Sequence, residues 1–264
     1  MPAWIELPLL GFDTETTGLS VTEDRIFEIA LITYKDGQVV EQWSKKLDPM
    51  RPLPPEVSRM TGISDEDLQG QPPFQLIAQD VMDRLNGQVI VGYNILDFDL
   101  PLLEAEFKRV GLSLPKCYPV DVLIFARELQ RGGRHNLSEM MKNYGLVMET
   151  AHRAGADADA SVRLLMAMAS ELPRDLVDLL RLQTQWRDSQ RARKATWRQR
   201  SDGPALLRQE VGASAGFIDE QGRVSLGPKY LYGNETDPLR SFLITYCDAT
   251  SHATVEERGG AEDE

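Results

Sequence analysis

The spacing of apolar positions divides the first two thirds of the chain into strands and helices. Strand-type patterns are predicted at 7–15, 26–34, 39–46, 89–93 and 118–120. Helical spacing is predicted at 55–60, 74–85, 99–110, 121–129, 137–144 and from 157 onward. Asp36-Gly37 predicts a tight hairpin turn between the second and third strands. Strands that come first and then alternate with helices indicate an α/β fold, with a mixed sheet flanked by helices.

The first predicted strand ends in the polar sequence Asp13-Thr14-Glu15-Thr16-Thr17-Gly18. Because side chains two apart on a strand share a face, Asp13 and Glu15 should project together. Their carboxylates are hard oxygen ligands suited to Mg²⁺ or Mn²⁺. The alternative is a polar turn in which Asp and Thr side chains satisfy local backbone donors.

A second carboxylate follows the predicted strand at 89–93. Pro101 fits only the first turn of a helix, so Asp99 should lie at a helix start. The apolar stripe of this helix is formed by Leu100, Leu103, Phe107 and Val110. Asp99 could serve only as a helix cap. Asp97, two residues earlier, should point elsewhere and is the less suited ligand.

A third polar segment combines a histidine with a carboxylate. His152 is one of three histidines in the chain and stands five residues before Asp157, at the start of another predicted helix. Asp157 could be only a cap, and Asp159 only an anion favoured by the helix dipole. The combination with two earlier carboxylate segments favours a shared site.

These residues resemble the DEDD superfamily of 3′ to 5′ exonucleases, whose signature is Asp-x-Glu, then Asp, then Asp. A His five residues before the last Asp marks the DEDDh branch, whereas the Tyr branch has Tyr at the position of Arg153. The resemblance covers about residues 7–171. It is strongest to proofreading enzymes such as the epsilon subunit of bacterial DNA polymerase III, and to stand-alone actinobacterial and phage relatives.

One motif departs from the bacterial pattern. Bacterial members usually place the second-motif Asp four residues after its Asn, but four residues after Asn94 stands Phe98, and Asp99 follows at five. The exonuclease domains of family B polymerases share this longer spacing. We assign the role to Asp99, with Asn94 and Phe98 as motif partners and Asp97 as the substitute.

The resemblance implies a ribonuclease H-like fold and a two-metal mechanism. Hydrolysis of a phosphodiester needs a nucleophile made from water and relief of charge on the departing 3′ oxygen, which two cations about 4 Å apart supply. The implied cofactors are two Mg²⁺ (or Mn²⁺). Asp13 would bridge both ions, Glu15 and Asp157 would complete one, and Asp99 would serve the other.

The resemblance also implies roles for residues that are not metal ligands. His152, with an ordinary pKa of about 6.5, would act as general base on the attacking water. Thr14, Thr16 and Leu19 would lie near the terminal nucleotide, and Phe98 would contact a base or sugar. For Leu19 and Phe98 the alternative is ordinary core packing.

Composition sets the scale of the fold. With 264 residues and 42% apolar side chains, the chain can bury one full domain plus an appendage. It shows no membrane-spanning run and no signal peptide, so we expect a cytoplasmic protein with no membrane partner. Cys117 and Cys247 lie far apart in apolar surroundings, which predicts free thiols in a reducing compartment.

The net charge of −12 is unusual for a protein that binds nucleic acid. An exonuclease that holds only the last nucleotides through bound metal needs few basic side chains. We expect weak intrinsic binding, so a basic segment or a partner would hold the substrate. The partner could be a replicative polymerase or another replication protein.

Beyond residue 173 the charge is divided. Residues 174–200 hold eight basic and three acidic side chains. Helical spacing places Arg187, Arg191, Lys194 and Arg198 on one face, with Trp186 and Trp197 beside it. This helix could be a nucleic-acid arm in which Arg and Trp meet phosphates and bases. Alternatively, it docks an apolar edge on the first domain, with its arginines solvated.

The sequence therefore predicts four segments. They are an exonuclease domain at 1–172, a basic helix with Trp at 173–200, a small β appendage at 201–249 and a disordered acidic tail at 250–264. The leading hypothesis is a 3′ to 5′ exonuclease on single-stranded or frayed DNA 3′ ends, in proofreading, replication or repair. The alternatives are an RNA exonuclease similar to oligoribonuclease or RNase T, and an inactive scaffold.

Overall fold

The computed structural model of the protein describes residues 3–148 and 152–201, with residues 197–201 as backbone only. The predicted appendage beyond residue 201 and the predicted acidic tail lie outside the described residues, as does Cys247. Cys117 is a buried free thiol, as expected.

One five-stranded mixed sheet forms the centre of the molecule. Its strands are β1 (Leu9–Thr16), β2 (Ile26–Lys35), β3 (Gln38–Lys46), β4 (Val89–Gly92) and β5 (Tyr118–Asp121), in the order β3-β2-β1-β4-β5. β1 is antiparallel to β2 and parallel to β4, so the predicted mixed sheet is confirmed. Asp36 and Gly37 both have positive φ, 51° and 74°, as a two-residue hairpin turn requires.

Helices cover both faces of this sheet. They are α1 (Pro55–Thr61), α2 (Asp65–Leu68), α3 (Phe74–Leu85), α4 (Asp99–Arg109), α5 (Val122–Leu129), α6 (Leu137–Asn143), α7 (Ala154–Ala167) and α8 (Leu176–Ser201). Short 3-10 turns at Trp4–Glu6 and Ala169–Glu171 complete the described elements. The 3-10 turns and α2 were not predicted. In α2, Ser64 and Asp67 form a capping box, but four residues are too few to show helical periodicity.

The core has two main layers. α3 and α4 bury Phe74, Val81 and Phe107 against one face of the sheet. α6 and α7 cover the opposite face, and Leu176 and Leu179 of α8 enter that same layer. The predicted docking of an apolar edge of α8 is therefore present.

Gly11 sets the distance between α7 and the central strand. A methyl group at Gly11 would lie 2.7 Å from the Ala158 carbonyl oxygen and 2.9 Å from Cγ2 of Val162. Only a residue without a side chain allows the helix backbone to approach β1 this closely. The close approach brings the first turns of α7 onto the end of β1 that carries Asp13 and Glu15.

We expect Gly11→Ala to lower the free energy of unfolding by about 1–3 kcal/mol, because the added methyl group forces α7 away from the sheet. Urea denaturation measures this loss. Gly155→Ala is the matched control on the same helix, because outside its chain neighbours and the backbone of its own helix no atom lies within 4 Å of the added methyl group. Equal stability of Gly11→Ala and wild type would contradict the packing argument.

Candidate active site

Three predicted carboxylates meet where β1 ends beneath α7. Asp13 and Glu15 point to the α7 side of β1, and Asp157 lies in the first turns of α7. One carboxylate oxygen from each of the three lies within 4.8 Å of the others. Oxygen donors at this spacing fit a hard divalent cation. We call these three residues, together with Asp99, the carboxylate cluster.

Asp99 joins the cluster from the opposite layer. It is the first residue of α4, is 3% exposed, and is not the residue that caps the helix, which is Phe98. Its Oδ1 accepts hydrogen bonds from the backbone N–H of Thr14, at 3.2 Å, and from the Thr14 hydroxyl, at 2.7 Å. Among its neighbours, Asp99 is the carboxylate that raises the pKa of Asp13 most. The side chain therefore lies beside Asp13.

Asp97 points away from the cluster, as its position two residues earlier predicts. Its Oδ1 accepts hydrogen bonds from Arg187 at 2.5 Å and from Arg191 at 2.8 Å, both on α8. These two positive charges lower the pKa of Asp97 against the opposing effect of burial. The geometry supports Asp99 as the second-motif ligand.

His152 is exposed and lies immediately before α7. Its backbone has a positive φ of 62°, and its N–H donates to Oδ2 of Asp157 at 3.2 Å. The cap interpretation of Asp157 needs correction, because α7 begins at Ala154 and Asp157 reaches back from within the helix. This reach-back bond ties the His152 backbone to the carboxylate cluster.

Burial raises the pKa of every carboxylate in the cluster, and repulsion within the cluster adds to it at Asp13 and Glu15. The pKa of Asp13 lies well above its ordinary value because of burial and then the charge of Asp99. Burial and the neighbouring Asp157 raise the pKa of Glu15 to about 8. Burial also raises the pKa of Asp99 to about 7 and that of Asp157 to about 6. Four such groups cannot all be charged at low cost without a cation, so the donor set fits divalent metal.

A further buried carboxylate beside the cluster, Glu28, was missed by sequence reasoning. It lies opposite Glu15 in the pairing of β1 with β2 and is 2% exposed. Arg153 binds both of its oxygens, at 2.9 and 3.2 Å, and the Ala154 N–H donates to it at 3.3 Å. Glu28 therefore fastens the start of α7 to the sheet. The feature of the sequence that could have revealed Glu28 is its position as a single charged residue within the apolar run of β2.

Asp121 holds the loop that precedes α4. Its carboxylate accepts hydrogen bonds from the backbone N–H groups of Asn94, at 2.9 Å, and Leu96, at 3.1 Å. Asn94 has a positive φ of 68°, a conformation that costs energy outside glycine. The buried carboxylate stabilises this loop geometry, although burial raises the pKa of Asp121 to about 6.

The predicted substrate residues occupy different environments. The Thr14 hydroxyl is bound to Asp99, and the Thr16 hydroxyl donates to the Gly18 carbonyl at 2.7 Å. Leu19 is 86% exposed, so the core-packing alternative does not apply to it. Phe98 is half-buried against the layer of α3 and α4.

The contacts of α8 correct part of the arm hypothesis. The Trp186 ring packs edge-on against Phe125, with centroids 5.9 Å apart. Arg187 and Arg191 bind Asp97, so these arginines are not simply solvated either. Lys194 is exposed, and the side chains of Trp197 and Arg198 lie outside the described residues. The first half of α8 is thus an integral part of the domain core.

In the part of the chain that the structure describes, no helix combines the length and apolar character needed to cross a membrane.

We expect Mn²⁺ to raise the melting temperature more at about pH 8 than at about pH 5. Raised carboxylate pKa values mean that the folded state holds protons that the unfolded state has already lost. The metal-free protein therefore loses stability as pH rises from about 4 to about 8, and a cation that displaces those protons restores it. Differential scanning fluorimetry across this pH range measures the effect.

The matched variants for this test are Asp13→Asn and Asp83→Asn. Asp13→Asn removes one repelling charge, so it should stabilise the metal-free protein at about pH 8 and abolish most of the Mn²⁺ effect. Asp83 is an exposed carboxylate on α3, and its variant should behave as wild type. A full Mn²⁺ effect in Asp13→Asn would rule out the assigned site.

Comparison with known proteins agrees with this geometry. Residues 10–165 match the model of the family described as Exonuclease. The chain is 33% identical over 182 residues to the PolC-type DNA polymerase III of Streptococcus agalactiae, covering 68% of this chain and 12% of that protein. It is 31% identical over 162 residues to the 3′-5′ exonuclease DinG of Bacillus subtilis, covering 61% and 17%. The chain thus spans less than a fifth of either relative.

Solved structures share the fold. Escherichia coli Exonuclease I in complex with a dA16 oligonucleotide superimposes with a TM-score of 0.57 at 21% identity, covering 63% of this chain and 42% of that one. This likeness confirms the ribonuclease H-like α/β fold. The expected resemblance to DEDD 3′ to 5′ exonucleases is likewise confirmed, and the chain belongs to the exonuclease family.

Proposed function

We propose that the chain is a metal-dependent 3′ to 5′ exonuclease that releases nucleoside 5′-monophosphates from single-stranded DNA ends. The observation that carries this proposal is the carboxylate cluster itself. Three segments far apart in sequence bring Asp13, Glu15, Asp99 and Asp157 together in a partly buried position. Apart from a metal site, such a concentration of buried negative charge has no structural benefit.

The cluster would hold two Mg²⁺ or Mn²⁺ ions. Asp13, Glu15, Asp99 and Asp157 would be their protein ligands. When bound, such ions would activate a water molecule at neutral pH and relieve charge on the departing 3′ oxygen. Hydrogen bonds position two of these ligands before metal binds. The Thr14 hydroxyl donates to Asp99, and the His152 N–H donates to Asp157.

His152 would take the proton of the attacking water. Its ring is exposed, so the proton can pass on to solvent, and its backbone is bound to a cluster carboxylate. The positive φ of 62° places a non-glycine residue in a costly conformation, which is characteristic of functional positions. The pair of Glu28 and Arg153 holds the adjoining residue to the sheet.

DNA is the substrate that the relatives favour. A PolC-type DNA polymerase III is among them, and a structural neighbour was solved with a dA16 oligonucleotide. The exposed Leu19 and the half-buried Phe98 would contact the terminal nucleotide. With a net charge of −12, the chain would bind the backbone weakly. A replication protein would then keep it at the 3′ end.

Digestion of matched 3′-labelled and 5′-labelled DNA and RNA oligonucleotides tests the proposal. We expect stepwise shortening of DNA from its 3′ end with Mg²⁺, lost with EDTA and in Asp157→Asn, because the ligand set is then incomplete. Faster digestion of RNA would assign the enzyme to RNA instead. Absence of cleavage on both would contradict the proposed activity.

The same assay separates the two second-motif carboxylates. Asp99→Asn should abolish cleavage, since Asp99 lies within the cluster. Asp97→Asn should retain measurable cleavage at saturating metal, because Asp97 binds α8 instead. The reverse result would show that the assignment within this motif is wrong.

For His152→Ala we expect kcat to fall by about 10²–10⁴-fold, the usual contribution of a general base. Mn²⁺ binding measured by calorimetry should be unchanged, since His152 is not a ligand in this mechanism. His135→Ala is the matched control. The His135 ring contacts the Gln130 carbonyl oxygen and is not part of the carboxylate cluster, so this variant should keep its kcat. Loss of Mn²⁺ binding in His152→Ala would identify His152 as a ligand, and full activity would exclude it as the base.

A further inference from the structure

Helix α8 lies beyond the family-matched residues 10–165, yet it contacts the loop that carries the second-motif carboxylate. Three side chains on its inner face, Gln183, Arg187 and Arg191, point toward the end of β5 and the loop at 93–98. They follow one another at helical spacing of four residues. These contacts form two connected sets of bonds.

The first set runs through Asp121. Gln183 is fully buried, its Oε1 accepts from the Asp121 N–H at 2.7 Å, and its Nε2 donates to the Pro119 carbonyl at 3.0 Å. Asp121 in turn binds the N–H groups of Asn94 and Leu96. Through this chain α8 fixes the first half of the loop.

The second set fixes the other half of the loop. Arg187 donates to the Leu96 carbonyl at 3.2 Å and to Asp97 at 2.5 Å, and Arg191 adds a bond to Asp97 at 2.8 Å. Beyond Asp97, the first turn of α4 is bonded back to the same loop, from Leu100 N–H to the Ile95 carbonyl at 3.0 Å. Asp99 lies within this bonded turn.

Stability alone is a weak explanation for this arrangement. The Arg187 side chain is only 17% exposed, and its Nε–H is buried without a hydrogen-bond partner in the described structure. Burying a guanidinium with an unsatisfied donor offsets much of what the ion pair gains. The main effect of the Arg187–Asp97 pair is to fix the position of the loop, because a charge-assisted hydrogen bond restricts both direction and distance.

We propose that Arg187, with Arg191 and Gln183, acts as a set of positioning residues that hold Asp99 in register with Asp13, and that α8 is therefore required for metal binding. This inference rests on the proposed function, in which Asp99 is a metal ligand. Ligand distances must hold to within about 0.2 Å for a metal site to form. A loop released from α8 would move Asp99 by more than that.

The test compares Arg187→Gln with Arg193→Gln in the full chain. Arg193 is on the same helix and also pairs with the domain, through Glu128, but contacts neither the loop nor Asp97 in the described structure. We expect Arg187→Gln to weaken Mn²⁺ binding, measured by calorimetry without nucleic acid, by about 10–100-fold, as loss of a supporting contact usually does. Arg193→Gln should bind Mn²⁺ as wild type does.

The melting temperature and kinetics separate positioning from other roles. The proposal requires that excess Mn²⁺ restore most of kcat in Arg187→Gln, with KM for an oligonucleotide unchanged and a melting temperature close to that of Arg193→Gln. Unchanged Mn²⁺ affinity would overturn it. A raised KM with unchanged Mn²⁺ affinity would overturn it in favour of direct DNA contact by Arg187.

Asp97→Asn provides a second route to the same answer. Its side chain is 48% exposed, so the variant should fold even if Arg187→Gln does not. Both variants should weaken Mn²⁺ binding, and the double variant should be no weaker than the worse single one, because they break one interaction. Additive losses would overturn the proposal. Because Mn²⁺ binding is read without substrate, an inactive wild type would disprove the nuclease function and leave this result intact.

Discussion

The placement of four carboxylates in one partly buried cluster is the constraint on which the rest of the structure depends. Burial raises the pKa of all four carboxylates, and repulsion within the cluster adds to this effect at Asp13 and Glu15. The strand supplies Asp13 and Glu15, whose side chains share one face, but the other two carboxylates come from different elements. The protein thus uses the end of β1, the start of α4 and the start of α7. Each element must then be held against the repulsion by contacts elsewhere.

Two kinds of contact hold these elements in place. One is a hydrogen bond from a nearby residue to a cluster carboxylate, and the other is close packing of the helix on the strand. Thr14 donates twice to Asp99, while the His152 N–H binds Asp157. Gly11 gives α7 its close approach to β1. Positive φ angles at Asn94 and His152 show that the backbone is strained on both sides of the site. The backbone on both sides of the site is less stable as a result, but the carboxylate ligands are already in position before a metal binds.

Local rules explain what the sequence predicted well. Apolar runs of strand length predict β1 and β2, Asp36-Gly37 predicts the hairpin, and Pro101 predicts the start of α4, because each signal lies within a few neighbouring residues. Glu28 was missed because its partner Arg153 is 125 residues away. The face of α8 that bears Arg187 and Arg191 was predicted, but its target was not. Sequence spacing defines a face and leaves open what that face contacts.

The ion pairs of α8 show where part of the positive charge of this acidic protein is located. From the sequence alone, the basic helix could be either a nucleic-acid arm or a helix that docks its apolar edge on the first domain. In the fold, Arg187 and Arg191 neutralise Asp97, and Arg193 pairs with Glu128 on α5. Several basic side chains of α8 are therefore paired with acidic side chains of the domain. Trp186 of the same helix packs against Phe125. We therefore expect these arginines to attract a phosphate backbone less than an unpaired basic helix would. Under the proposed function, the carboxylate cluster with its cations would be the main source of affinity for a 3′ end, so substrate and metal would bind together.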